Sequence, residues 1–154
     1  MKRVLVIGYG NSLRSDDCVG LYAVRELGKS MKLANVELIE APQLQLEMAE
    51  KLAQVDLVVF LDAATDGISG EINYERVLPH APTGALSHSI DPATLLGAAK
   101  QLYGAAPTAL LAAVSGECFG YGSRLSPEVE ISMRGVAKRV EDIIAEFLEE
   151  KVAV

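Results

Sequence analysis

Three apolar runs, Val4 to Ile7, Val55 to Leu61 and Thr108 to Val114, set the narrowest limit on how this chain can fold. Continuous runs of this kind are strands covered on both faces, which belong to parallel sheets packed between helices. Between them the periodicity changes. Val19, Tyr22, Ala23 and Leu27 recur at helical spacing, which predicts a helix over about 17–29. Val36 to Glu40 reads as a second strand stopped by Ala41-Pro42, and Leu44, Met48 and Leu52 mark a short second helix. Glu71 to Val77 alternates loosely and reads as a weaker edge strand. Asp91-Pro92 has the form of an N-cap followed by proline, opening a helix to about Tyr103. Ser126-Pro127-Glu128 repeats that start for a last helix to about Glu150, whose core stripe is Val136, Val140, Ile143, Ile144 and Phe147.

The alternation predicts an α/β fold in three layers: a mostly parallel sheet, an antiparallel edge strand, and helices on both faces. At 154 residues the chain has the size of one domain, 1–154, with no internal repeat or linker. Hydrophobic residues at 50% and charged residues at 23% exclude disorder. A net charge of −7 argues against nucleic acid and anionic membranes as partners. Cys18 and Cys118 are too few for a disulfide scaffold and fit a reducing cytoplasm. The apolar stretch after Met1-Lys2-Arg3 stops at Gly8, too short to span a membrane.

Ligands of such sheets bind beyond the carboxyl ends of the strands. The turn there, Gly8-Tyr9-Gly10-Asn11-Ser12-Leu13, begins like a dinucleotide fingerprint, and Glu40 stands where a ribose-binding acid would be. However, Leu13 replaces the third glycine. Asp16 and Asp17 also fall where a pyrophosphate would need free N–H groups. These carboxylates suit a cation better. The plain structural alternative is that Asp16 caps the first helix and Asp17 complements its dipole. Asp62, at the end of the third strand, is expected beside Asp17, and two converging carboxylates are destabilising unless a cation or proton offsets them. His80 and His88 are the two histidines. A set of Asp17, Asp62 and His88 would suit a first-row divalent ion, with His80 the alternative imidazole.

The run from Gly8 to Gly20 closely resembles the signature of the hydrogenase maturation endopeptidases: Gly-x-Gly-Asn-x-Leu-x-x-Asp-Asp/Glu-x-x-Gly after the first strand. Leu61-Asp62-Ala63, His88 before a helix, and Leu125-Ser126-Pro127 extend the match along nearly the whole chain. The resemblance implies a five-stranded twisted sheet. It also implies an enzyme that removes a C-terminal extension from a nickel-loaded hydrogenase large-subunit precursor. Asp17, Asp62 and His88 would recognise nickel held by the substrate, so that the purified protein can lack it. A metal near the scissile carbonyl would polarise it, with a carboxylate such as Asp16 as general base. The chain departs from the pattern at Cys18, where glycine is common; a small buried residue is expected there, and a soft accessory donor is the alternative. Cys118 lies at the same sheet edge, so the two thiols could approach each other. The Ser115–Gly122 loop is a candidate substrate contact, and Tyr9 and Tyr121 read equally as cleft-lining or packing residues. Two alternatives are a non-catalytic metal- or precursor-binding chaperone on the same fold, and a dinucleotide-binding oxidoreductase.

Overall fold

The computed structural model describes residues 1–80 and 90–150. Five strands, β1 (Val4–Tyr9), β2 (Val36–Ala41), β3 (Leu57–Ala64), β4 (Ile72–Val77) and β5 (Thr108–Ser115), form one sheet in the order β2-β1-β3-β5-β4. Every pairing is parallel except that of β4 with β5, so the antiparallel strand lies at an edge as expected. Helices α1 (Val19–Gly28) and α4 (Pro127–Glu149) cover one face. Helices α2 (Met48–Leu52) and α3 (Pro92–Tyr103) cover the other.

The central strands sort their side chains by alternation. Val4, Val6, Val59 and Leu61 pack with α1 and α4, whereas Leu5, Ile7, Val58 and Phe60 pack with α2 and α3. On α4 the buried stripe starts earlier than the sequence suggests, at Val129 and Met133, and runs through Val136, Val140 and Ile144; Ile143 is only partly covered.

Three boundaries differ from expectation, each for a local reason. The first helix is preceded by a 3₁₀ turn, Ser15–Cys18, entered through Ser15 at φ 52°. Leu44 is buried but precedes the α-helical part of its segment. β3 extends to Ala64, because β5 keeps pairing with it after β1 has ended: Asp62 pairs with Ala113 and Ala64 with Ser115. Asp62 therefore sits inside a strand that is laddered on one side only.

Two glycines bring α1 against the strand ends. A Cβ on Gly8 would lie 2.2 Å from the Gly20 carbonyl oxygen, and one on Gly20 would lie 2.3 Å from that of Leu61. No methyl group fits either gap. Gly20→Ala is expected to destabilise the fold by about 1–3 kcal/mol or more, as overpacking against rigid backbone does. Urea unfolding measures this, and an unchanged midpoint would contradict the contact.

Candidate active site

In open α/β sheets the binding crevice opens where strand order reverses. Here that point lies between β1 and β3. Their register ends with Gly8 opposite Leu61, so the next residues, Tyr9 and Asp62, emerge side by side. Alternation sends both toward the α2/α3 face, where Ile7 and Phe60 lie one step earlier.

Asp17 arrives from the 3₁₀ turn. Its Oδ2 accepts a 2.6 Å bond from the Asn11 amide. The turn folds tightly over Gly10, where a Cβ would lie 2.0 Å from the Asp17 carbonyl oxygen. Asp62 Oδ1 accepts a 2.7 Å bond from the Ala63 amide. Burial pushes the Asp62 carboxyl up to about 6. Hydrogen bonds from Ala63 and Tyr9 oppose that rise, and the charge of Asp17 adds to it. The structure thus brings two of the expected metal ligands within each other's field. Such a pair, each with one oxygen tied to a backbone amide, is a donor set that fits a divalent cation.

The Tyr9 phenol lies within the field of Asp62. Its pKa is raised by burial, then by the Asp62 charge and hydrogen bond, then by the charge of Asp91. It therefore stays protonated as a donor. Tyr9 is half-buried and packs with the α2/α3 core, while Tyr121 is 80% exposed. Sequence spacing does not signal that Tyr9 and Asp62 emerge side by side; the β1–β3 register does.

Asp16 corrects two expectations. It does not cap the first helix: that turn has Arg14 at its N-cap and no side-chain capping bond. Instead Asp16 is fully buried and reaches across the sheet edge. Its Oδ2 accepts from the amides of Glu117 (2.8 Å) and Cys118 (2.9 Å) and from the Ser126 hydroxyl (2.7 Å), and its Oδ1 from the Ser126 amide (2.7 Å). Burial alone would raise its pKa, but the bonds from Cys118, Ser126 and Glu117 outweigh it and hold the carboxyl below its ordinary range. A buried carboxylate so engaged is a clamp, poorly placed to act as the general base expected above. Ser126, drawn onto Asp16, makes no side-chain cap for α4; Asp91 does cap α3, accepting from the Thr94 amide at 2.7 Å.

Around this clamp the turn and the loop after β5 are zipped together. The Ser15 amide donates to Gly122, the Asp16 amide to Cys118, and the Gly122 amide to Leu13. The Asp17 amide donates to Arg14. The amides that a pyrophosphate would need are thus occupied, and Glu40 is paired with Arg25 at 2.8 Å. The dinucleotide alternative has no anion cradle in this turn.

The thiols are both free: Cys18 is buried and donates to the Asn11 carbonyl at 3.4 Å, and Cys118 is exposed. Cys18 is thus the small buried residue expected on the sequence. His88 lies outside the described residues. His80 is exposed, its amide bonded to the Ala93 carbonyl at 2.9 Å, and its charge acts on Asp91. Among the described residues no three His, Cys, Asp or Glu side chains are grouped to hold a metal.

Fold and crevice define an α/β protein with an acidic pair at the switch point of its sheet. The particular architecture is that of the hydrogenase maturation proteases, the family whose signature the first turn resembles. The HycI [NiFe] hydrogenase maturation protease of Thermococcus kodakarensis matches with a TM-score of 0.76 at 22% identity, over 94% of this chain and 93% of that one. The maturating endopeptidase HybD of E. coli matches with the same values. A hydrogenase 2 maturation peptidase from a Thaumarchaeota archaeon matches with a TM-score of 0.68 at 25% identity, over 94% and 99%. No protein-family model matches the chain, and no curated protein does.

Proposed function

We propose that the chain is a processing endopeptidase that removes the C-terminal extension of a nickel-loaded hydrogenase large-subunit precursor. The observation that carries this reading is Asp62 at the β1–β3 crevice, within the field of Asp17 from the turn after β1, on the fold of proteases that mature hydrogenases. Two carboxylates in each other's field, one with its pKa raised by burial, are stabilised by a divalent ion brought to them. In this reading the ion is nickel carried by the substrate, and His88 supplies the third ligand. An empty precursor offers nothing to neutralise the pair and binds weakly, so cleavage waits for metal insertion.

The protein's own groups then have separate tasks. Asp17 and Asp62 bind and orient the metal-bearing segment, and Asp16 locks the loop carrying Glu117 and Cys118 beside it. The net charge of −7 favours a partner whose contact surface is basic or neutral. Among the described residues no helix is long and apolar enough to cross a membrane, and the reading places the protein in the cytoplasm with its substrate.

Incubation with nickel-loaded and nickel-free precursor, followed by intact-mass measurement, tests the proposal. Loss of a C-terminal peptide from the loaded form alone is the expected result. A bound but uncleaved loaded precursor would replace the enzyme with a maturation chaperone on the same fold. No binding to either form would remove the hydrogenase reading.

A further inference from the structure

Resting on the reading just given, we propose that Ser115 is a substrate-binding residue, its hydroxyl kept for a main-chain carbonyl of the precursor segment that runs past Asp62. Ser115 ends β5 and is only 1% exposed. Its main chain is fully used: the amide donates to the Glu71 carbonyl, and the carbonyl accepts from the Gly70 amide, each at 2.8 Å. Its Oγ is different. Among the described residues it is the one buried side-chain oxygen or nitrogen with no hydrogen-bond partner. A hydroxyl shut away from water without a partner is destabilising, and alanine in its place would not be. Nothing in the fold explains why a hydroxyl stands there.

Register places that hydroxyl on the Asp62 side of the sheet. Asp62 pairs with Ala113, and Ser115 follows two residues later on the same face, since Ala112 and Val114 belong to the α1/α4 core. One strand across and two residues along is about 8 Å at ordinary sheet spacings, the reach of about two or three extended residues. What covers the hydroxyl is the loop between β3 and β4. It turns at Gly67, in the left-handed region at φ 84°, where a Cβ would lie 2.7 Å from Ser115 Oγ. Ser69 and Gly70 tie the far end of this loop to α4, through Glu128 and Ser132. Thr65 to Ile68 put no side chain into the core; all four are exposed, Ile68 by 77%. A stretch with so few buried contacts opens locally with ease. A peptide crossing from Asp62 to the end of β5 displaces it and meets the hydroxyl.

Ser115→Ala separates this role from a structural one. Its thermal midpoint should rise by about 2–4 °C, because an unmade bond disappears from the fold. With nickel-loaded precursor its KM should rise about 3–10-fold, the worth of one neutral hydrogen bond, read by intact mass over a series of precursor concentrations. Both changes together support the assignment. A lowered midpoint would show that the hydroxyl has an internal partner, such as a buried water, and would overturn it. An unchanged KM would overturn it too, while processing by the wild type left the endopeptidase reading standing. Failure of the wild type to bind or cleave loaded precursor would overturn that reading and the role of Ser115 with it.

Discussion

Asp62→Asn is expected to yield a protein that is more stable than the wild type and unable to process its substrate. Amide for carboxylate keeps the shape and the acceptor for Ala63, but removes the buried charge and its repulsion with Asp17. A carboxyl whose folded pKa is raised to about 6, against 3.8 unfolded, takes up protons on folding between those values. Its contribution therefore becomes less favourable as pH rises through that window, and the full penalty stands above about pH 6. Asp62→Asn should thus gain on the order of 1–2 kcal/mol at pH 8, a figure reduced for the group's partial exposure, and gain nothing below about pH 4. Processing should fall roughly hundredfold or more, since losing a ligand does at least the damage of losing its outer partners. Urea unfolding at both pH values and the intact-mass assay measure the two effects. A destabilised variant at pH 8, or one that still processes, would contradict the account. Sites that hold charge for function are expected to lower stability in this manner.

Asp16→Ala should have the largest effect on the fold. The substitution removes a fully buried carboxylate and leaves three amides and a hydroxyl, from Glu117, Cys118 and Ser126, without their acceptor. Removing one side of a buried charged network is worth about 3–5 kcal/mol, a large share of the roughly 5–15 kcal/mol that stabilises a domain. Asp16→Asn should do little better, because its NH₂ group would face donors where an acceptor is required. The lowered pKa of Asp16 means that its stabilisation is complete above the unfolded carboxyl value and is lost as pH falls through the folded one. Hydrogen exchange at Glu117 and Cys118 should accelerate in both variants. A loss below about 1 kcal/mol with protection retained would contradict the clamp.

These two aspartates show what could be read from the chain and what could not. The buried strands were legible because a parallel strand covered on both faces must be apolar at every position, as Val4 to Ile7 and Leu57 to Leu61 are. The start of α3 was legible because Asp91, Pro92 and Thr94 make their cap within four residues. Asp62 could be placed near Asp17 because the third strand and the turn after the first strand open at the same edge of the sheet. The role of Asp16 was not legible, since its partners stand about 100 residues away. Ser126 looked like a second Asp91 for the same reason: nothing local shows that its hydroxyl is engaged elsewhere. Tyr9 reads in the sequence as either a cleft or a packing residue; it packs with the α2/α3 core, and register sets it beside Asp62. The third expected ligand, His88, lies outside the described residues, and its role rests on the family resemblance.

The central claim is that Asp17 and Asp62 grip one metal ion together with His88. Diffraction from crystals of the chain soaked with Ni²⁺, recorded across the nickel absorption edge, locates that ion directly. The account predicts one anomalous peak at the β1–β3 crevice, within about 2–2.3 Å of a carboxylate oxygen from each aspartate and of an imidazole nitrogen of His88. A peak elsewhere, or one at the crevice that the aspartates do not touch, would contradict it.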